Sequence, residues 1–286
     1  MRTNALVRIA LFALAIIILL GILIGGIALN YAFQRVDEIT TYTTELEVVA
    51  QYDINKVSEI EIGWISGDIK IIGGATNDKV IISESGITND KYKMICKHFG
   101  SKLEIKFSQD TPNFFGLNSP PPKELVIVVP RGWYCESIDI STASSDISFN
   151  DLKIDKVDIE NASGKCEFLY CGIRDLDIDT ASCDIFFDGE VVNLELDAAS
   201  ANGEFIISGF PENLKANMAS GDLIFVLPDD QPIKCHIDVI GGKFINEYPD
   251  DHNQTYSYKP QSCEIWISAL SGDVTVMPHC KYTGHH

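Results

Sequence analysis

The sequence is poor in basic residues and has none of the motifs that mark the common enzyme families. Lys and Arg number 22 against 41 Asp and Glu, which gives a formal net charge of −19. A surface this acidic repels nucleic-acid phosphates and anionic lipid headgroups, so the composition argues against nucleic-acid binding. No HExxH, GxSxG, P-loop or protein-kinase motif is present. These absences favour a non-enzymatic protein.

The eight cysteines lack the spacing of a disulfide framework or a zinc site, because no CxxC occurs and the cysteines are scattered along the chain. This distribution favours small buried hydrophobic side chains. One or two disulfide bonds stay open as an alternative.

One hydrophobic segment stands apart from the rest. Residues 9–29 form an uncharged run of 21 residues, which at about 1.5 Å per residue is roughly as long as a bilayer core is thick. The run ends in IALNYAF, a poor signal-peptidase site, so an uncleaved transmembrane helix is favoured over a cleaved signal. Within it, Gly21 and Gly25 form a GxxxG pair that suits helix pairing, although glycine is common in membrane helices generally.

The flanks of this segment predict its orientation. Arg2 and Arg8 precede the run, whereas Asp37 and Glu38 follow it. Basic residues stay on the cytoplasmic side, so residues 1–8 are expected inside and everything after about Asn30 outside. The expected localisation is the cell membrane, crossed once, with the C-terminal part extracellular.

Most of the remaining chain repeats one short pattern around a serine. The five central serines lie 18 to 20 residues apart. The copies are IDISTASSDISF (138–149), VDIENASGKCEF (157–168), LDIDTASCDIFF (176–187), LELDAASANGEF (194–205) and LKANMASGDLIF (214–225), with further copies at 60–71, 237–244 and 265–276. Such a period is the mark of a repeat architecture.

Each copy alternates between apolar and polar residues. In the third copy Leu176 and Ile178 face one way while Asp177 and Asp179 face the other, which predicts strands with one buried side. The small residues between the two runs predict a tight corner. We therefore expect an all-β fold, a β-solenoid formed by a right-handed, β-helix-like stack of rungs of about 19 residues. A twisted sandwich of repeated hairpins is the alternative.

The repeats also resemble a known family. The segments WISGDIKI (64–71), LEIKF (103–107) and LVIVVP (125–130), with the xASGDI-type repeats, are similar to bacterial putative adhesins with SGD-type β-strand repeats, which carry domain of unknown function 4097. The resemblance covers about residues 55–280 and implies a cell-envelope protein with a β-helix-like stack. Some relatives are linked to envelope-stress sensing. It implies no catalytic residues. Residues 30–54 are then a linker and 281–286 a tail.

The triplet Ser182, Cys183 and Asp184 resembles a nucleophile beside a carboxylate. A nucleophile needs one oriented base, and no histidine accompanies any copy at this position. In other copies the cysteine is replaced by serine, glycine or alanine. The triplet is therefore interpreted as a structural corner.

Two groups of residues are candidate contact sites. Stacked rungs are expected to align like charges in an acidic ladder on one outer face, with a second ladder of Glu160, Asp179 and Asp197 beside it; either Ca²⁺ or solvent relieves the repulsion. A long loop, 246–262, combines tyrosines with carboxylates, which suits a glycan or a cationic peptide, or is a tolerated insertion. The first ladder is Asp139, Asp158, Asp177 and Glu195, and the loop residues are Tyr248, Asp250, Asp251, Tyr256 and Tyr258.

The sequence thus predicts a membrane-anchored, non-enzymatic cell-envelope protein of putative adhesin type, binding or sensing at the bacterial cell surface. Its expected partners are the membrane, through the N-terminal helix, and an envelope protein, a glycan or a cationic peptide. No cofactor is expected apart from the Ca²⁺ alternative. The competing functions are a structural or assembly module that pairs with another envelope protein, and a polysaccharide-active enzyme.

Overall fold

The computed structural model describes residues 42–87, 92–108, 122–230, 232–248 and 262–283. These residues form strands connected in one 14-stranded sheet, with short 3₁₀ turns at Ile54–Lys56 and His279–Lys281. The strands are β1 (Tyr42–Asp53), β2 (Glu59–Ala75), β3 (Lys79–Ile87), β4 (Ile95–Phe99), β5 (Lys102–Lys106), β6 (Glu124–Pro130), β7 (Tyr134–Asn150), β8 (Lys153–Ile207), β9 (Asn213–Ser220), β10 (Leu223–Leu227), β11 (Ile233–Gly241), β12 (Phe244–Asn246), β13 (Cys263–Ser271) and β14 (Val274–Pro278).

The expected membrane-spanning segment, residues 9–29 with Gly21 and Gly25, lies outside the described residues. Among the residues that are described, no helix has the length and apolar character needed to cross a membrane.

The repeat copies stack as parallel rungs, each formed by a strand, a corner and a second strand. Ser66 of β2 pairs with Ser144 of β7, which pairs with Ser163 of β8. Ser200 likewise pairs with Ser220. The all-β prediction is confirmed, and the stack is solenoid-like. The alternative of repeated hairpins is wrong, because successive copies pair in parallel. The right hand of the coil stays a prediction.

The corners divide the stack into two walls. Strands β5, β9, β11 and β13, with the first halves of β2 and β7 and the matching stretches of β8, form wall 1. Strands β6, β10, β12 and β14, with the stretches after each corner, form wall 2. Apolar side chains of both walls belong to one buried core, because alternate residues of every strand point inward.

Columns of identical or similar side chains fill this core. Ile140 pairs with Ile159, and both are buried with Ile178 and Leu196, as the repeat predicted. In wall 2 five phenylalanines stack from rung to rung with ring centroids 4.9 to 6.4 Å apart. Each buried Phe contributes about 1.5–3 kcal/mol. The column is Phe149, Phe168, Phe187, Phe205 and Phe225.

The order of rungs departs from the order of the chain at both ends. At one end, β5 and β6 stack outside β2, although β2 precedes them in the sequence. At the other end, β13 and β14 insert between the β9–β10 rung and the β11–β12 rung. The copy at 237–244 is therefore the terminal rung, and Gly241 pairs with Ser271 of the later copy.

The two ends also differ in how they are covered. Antiparallel strands close the first end, where β4 pairs with β5, β3 with β6, and β1 with β3. Strand β1 lies within residues 30–54, which the sequence predicted as a linker; it joins the sheet because Ala50 and Tyr52 pack against the core. At the other end, among the described residues, β11 pairs only with β13 and β12 only with β14.

A buried lysine stabilises the covered end. The Lys123 ammonium lies within 2.7 Å of a Glu84 carboxylate oxygen and donates to the carbonyl oxygens of Tyr92 and Phe107 at 2.6 and 2.5 Å. It also lies over the Trp64 ring, 4.8 Å from the centroid. Burial lowers the pKa of Lys123, and the neighbouring carboxylate opposes that shift. A buried charge is tolerated here because every proton has a partner.

The corners place backbones of adjacent rungs in close contact. Gly164, Gly221 and Gly272 have φ between 118° and 134°, and a Cβ on any of them would overlap the carbonyl oxygen of the preceding rung. Ser145, Cys183 and Ala201 occupy the same place with a buried small side chain instead. These two solutions explain why the cysteine of the Ser182–Cys183–Asp184 triplet alternates with glycine and alanine.

The corner carboxylates accept hydrogen bonds from the next rung. Asp146 accepts from the Lys165 backbone N–H at 2.9 Å, and Asp222 accepts from the Asp273 N–H at 2.7 Å. Asp273 in turn accepts from the Lys243 N–H at 2.9 Å. The aspartate of the repeat is therefore a structural link between rungs.

The cysteines are all unpaired, and every one of them lies in the described part of the chain. Cys135, Cys166, Cys171, Cys183 and Cys263 are buried. Burial raises the pKa of Cys135 to about 12 and that of Cys171 to about 11. The thiolate form is thereby disfavoured, in keeping with small core residues.

We expect Gly221→Ala to lower the free energy of unfolding by about 3 kcal/mol or more, because the new Cβ meets the Ala201 carbonyl at an unfavourable φ. Gly63→Ala is the matched control, since the nearest atom to its Cβ is 4.0 Å away, and it should change stability by less than about 0.5 kcal/mol. Urea denaturation measures both. Equal stability of the two variants would contradict the close-contact account of the corner.

Candidate binding face

The outward side chains of wall 1 form rows that run along the stack. Asp139 lies opposite Glu61 on one side and Asp158 on the other. Asp177 lies next in the row, with Asp158 and Glu195 as charged neighbours. The structure thus places the predicted ladder residues Asp139, Asp158, Asp177 and Glu195 in one row, because parallel in-register rungs align equivalent positions.

A second acidic row runs beside the first. Asp179 has Glu160 and Asp197 as charged neighbours. Asp197 accepts a hydrogen bond from the Asn217 side-chain amide at 2.6 Å. The part of the outer surface of wall 1 that carries these two rows is the acidic face.

Lysines neutralise only part of the acidic face. Lys102 pairs with Glu61, Lys156 with Asp158 at 3.1 Å, and Lys215 with Glu195. Three other aspartates of these rows, Asp139, Asp177 and Asp179, form no ion pair with any described residue. The centre of the acidic face therefore carries uncompensated negative charge.

Burial and like-charged neighbours raise the pKa values of these aspartates. Partial burial is the main cause at Asp177, followed by the charge of Asp158, and together they raise the pKa to about 6. The pKa of Asp139 is raised by burial and by Asp158, and that of Asp179 by burial and by Asp197. A positive charge brought to this surface would relieve the repulsion.

The calcium alternative finds no site in the part of the chain that the structure describes. No group of three or more His, Cys, Asp or Glu side chains there is arranged to hold a metal ion. Successive carboxylates of a row project from strands about 4.8 Å apart, whereas Ca²⁺ needs six to eight oxygens at about 2.3–2.6 Å around one point.

The first acidic row ends in residues that were not predicted as functional. After Glu195 the same row continues through Lys215 of β9, Trp266 of β13 and His236 of β11. The copy at 265–276 already placed Trp266 at the aspartate position, so this signal was present in the sequence. The repeat pattern does not predict a role for His236, because the copy at 237–244 begins one residue after it and the exchanged order of the rungs leaves no trace in the sequence.

Of the five predicted contact residues in the tyrosine loop, the structure describes only Tyr248. Tyr248 is half-buried, and its hydroxyl donates to the Pro228 carbonyl oxygen at 2.7 Å. Burial raises its pKa above the ordinary value. Its hydroxyl thus anchors the start of the loop to the solenoid. Asp250, Asp251, Tyr256 and Tyr258 lie outside the described residues.

The described residues form an all-β, solenoid-like stack of mainly parallel strands, and several rungs turn at a Ser-Gly-Asp corner. The family described as Toastrack DUF4097 matches residues 57–276, and the chain belongs to this family. The expected resemblance is confirmed. None of the curated proteins matches the chain.

Solved structures of bacterial proteins are similar over most of their length. A putative cell adhesion protein from Clostridium sporogenes is 13% identical with a TM-score of 0.37, and the match covers 83% of this chain and 100% of that one. A putative adhesin from Bacteroides fragilis is 16% identical with a TM-score of 0.42, and the match covers 82% of this chain and 98% of that one. A putative lipid binding protein from Parabacteroides distasonis is 12% identical with a TM-score of 0.36, and the match covers 83% of this chain and 98% of that one.

The raised pKa of Asp177 predicts a pH-dependent stability. Folding raises this pKa from 3.8 to about 6, so the folded state binds the proton more tightly and loses stability as the pH rises through about 6. Asp177→Asn removes this penalty. We expect the variant to melt roughly 2 °C higher than the parent at about pH 7.5, and the difference to vanish below about pH 4.

Glu195→Gln is the matched control for this measurement. It removes a charge from the same row but also breaks the ion pair with Lys215, so it should not raise the melting temperature. A D177N variant that melts below the parent at neutral pH would contradict the repulsion argued for the acidic face.

Proposed function

We propose that this chain is a membrane-anchored, non-enzymatic protein of adhesin type that binds cationic ligands at the bacterial cell surface through its acidic face. The observation that carries the proposal is a group of three aspartates without ion pairs, Asp139 and Asp177 of the first row and Asp179 of the second, at the centre of a rigid wall. Wall 1 needs its inward side chains for folding, whereas the outward carboxylates of these rows are available to a ligand.

The scaffold suits a surface that must keep its shape. Every rung is hydrogen-bonded to its neighbours along both walls, and the core runs the length of the stack. Side chains on such strands are held at fixed spacing. A chain of positive charges, such as a basic peptide, can therefore meet several carboxylates without reorganising the protein. The 21-residue apolar run would hold this surface outside the bilayer.

Binding to protoplasts that express the full chain tests the proposal. Fluorescent oligolysine should bind these cells more strongly than cells without the chain, and the excess should fall steeply as salt rises from about 0.05 M to about 0.5 M. A chain lacking residues 9–29 should give no excess. Antibody detection of a C-terminal tag on intact cells separates a failure of orientation from a failure of binding.

Charge-matched variants locate the site. The triple variant Asp139→Asn, Asp177→Asn, Asp179→Asn should lose most of the excess binding. The control variant Glu167→Gln, Asp188→Asn, Glu190→Gln removes three charges outside the acidic face and should keep it. Equal binding by the two variants, with the tag exposed on both, would refute the acidic face as the contact surface.

The end of the solenoid formed by β11 and β12, whose outer edge pairs with no described strand, favours assembly as a second candidate function. The Pro232 carbonyl accepts a hydrogen bond from the Cys263 N–H at 2.8 Å. Because strand residues alternate in the direction of their backbone groups, Cys235, Ile237 and Val239 direct theirs away from β13. An antiparallel strand from another chain would satisfy these groups, as β3 and β4 satisfy the rung at the covered end.

A second copy of β11 fits this edge. In an antiparallel pair centred on Ile237, apolar inward residues oppose apolar inward residues, and His236 lies opposite Asp238 of the other copy on both sides. Two molecules would then share one continuous stack.

Sedimentation of the full-length chain in detergent tests this assembly. We expect two chains per particle, and one chain for Val239→Pro, which removes an outward N–H without disturbing the β13 ladder. Val239→Ala is the control and should keep two chains. A single chain per particle for the parent at every concentration would exclude the proposed pairing.

A further inference from the structure

Trp266 differs from the other tryptophans in its environment. The sequence has three Trp, of which Trp64 and Trp133 are buried at 3% and 7% exposure, whereas Trp266 is 46% exposed. It lies on the outer surface of wall 1, in β13, next to the terminal rung that β11 and β12 form. An exposed indole of this size on a rigid strand offers a large flat apolar surface to a partner.

Neighbouring side chains fix the orientation of the indole. Its ring stacks on His236 with centroids 3.7 Å apart and planes within 9°. Its Nε1–H donates to a Glu264 carboxylate oxygen at 3.3 Å. His236 thus contacts one face of the ring, and Glu264 accepts the hydrogen bond from its polar edge.

The opposite side of the indole stays accessible. The residue paired with Trp266 on that side is Lys215 of β9, but its ammonium forms an ion pair with Glu195 of β8, which lies on the far side of β9 from Trp266. The lysine therefore points along the row away from the ring. This arrangement accounts for the large exposed fraction of Trp266.

Polar side chains surround the exposed ring. Asn217 lies on β9 beside Ser268 of β13, and Asp238 lies beside the same serine on β11. On the other side of the ring, Asn213 and Lys234 flank Glu264. The Lys234 ammonium is paired with Glu264 at 3.2 Å, and the amides of Asn213 and Asn217 each donate to a side chain of the neighbouring strand. The ring is therefore bordered by a fixed network of amide, hydroxyl, carboxylate and ammonium groups, in contrast to the acidic rows further along the wall.

We propose that Trp266 is the platform of a glycan-binding site, where a neutral pyranose ring stacks its C–H face on the indole. The chemistry of the surroundings matches that of a sugar, because hydroxyl groups both donate and accept hydrogen bonds around an apolar ring face. The net charge of −19 disfavours acidic polysaccharides. His236 is a positioning residue that holds the indole flat from beneath.

This site is separate from the proposed contact with cationic ligands. It lies beyond the Lys215–Glu195 ion pair, at the end of the row where acidic residues give way to mixed polar ones. A surface protein with both sites would engage a neutral saccharide and a cationic group on the same wall.

Intrinsic tryptophan fluorescence of the full-length chain tests the site. The chain is purified in a detergent without a sugar headgroup and titrated with cellotetraose and, separately, with the tetramer of N-acetylglucosamine. Because the other two tryptophans are buried, a saturable change in emission reports on Trp266. We expect such a change for at least one of the two saccharides, confirmed by calorimetry on the same preparation.

Variants distinguish stacking from a structural role. Trp266→Ala should weaken calorimetric binding by about tenfold or more, which corresponds to about 1.4 kcal/mol. Trp266→Phe should retain part of the affinity, and His236→Ala should weaken binding less than W266A does. Phe210→Ala removes another exposed aromatic side chain and should leave saccharide binding unchanged.

Failure of this proposal is distinguishable from failure of the acidic face. Oligolysine binding should be unchanged in W266A, whereas saccharide binding should persist in the triple aspartate variant. The glycan site is refuted if neither saccharide binds, or if W266A binds as tightly as the parent. The proposal is also refuted if the parent binds no saccharide and W266A differs from it only in particle mass. That result would assign Trp266 to contacts between protein chains.

Discussion

The backbone contact at the corner of each rung is the constraint on which the rest of the structure depends. Rungs can stack at strand spacing only where the corner of one rung leaves room for the backbone carbonyl of the rung before it. Gly221 and Gly272 meet this condition by having no Cβ, and Cys183 meets it by directing a small side chain inward. The carboxylate that follows accepts an N–H from the adjacent rung, as Asp222 does from Asp273. Together these contacts keep equivalent residues in register.

That register has opposite energetic effects inside and outside the stack. Inside, it superimposes Phe149 on Phe168 with nearly parallel rings 4.9 Å apart, and each buried ring contributes about 1.5–3 kcal/mol. Outside, it superimposes Asp139 on Asp158, at a cost of at most about 1 kcal/mol per like-charged pair. The core contribution exceeds the repulsion, so an uncompensated acidic surface can persist in a stable protein. The acidic face is therefore compatible with the fold without being required by it.

Periodicity predicted the parts of the fold that depend on local pattern. The strands, their buried sides, the corner and the alignment of Asp139 with Asp158 all follow from one repeat aligned on its serines. The exchanged order of the last two rungs does not follow from the repeat. Every rung has a similar edge, so which rungs pair depends on the packing of the whole stack. Strand β1 was missed because its contact with β3 is antiparallel and lies outside the repeat. Trp266 was visible in the alignment, but its stacking on His236 depends on the exchanged order.

The exchanged order of rungs also determines how the protein can be completed during synthesis. When the ribosome has produced β11 and β12, the strands that separate them from β9 and β10 in the finished protein, β13 and β14, have not yet been made. The solenoid therefore cannot grow by adding rungs in the order of translation. Its terminal rung must wait for the last strands, or be displaced by them, so the final residues of the domain decide when folding ends.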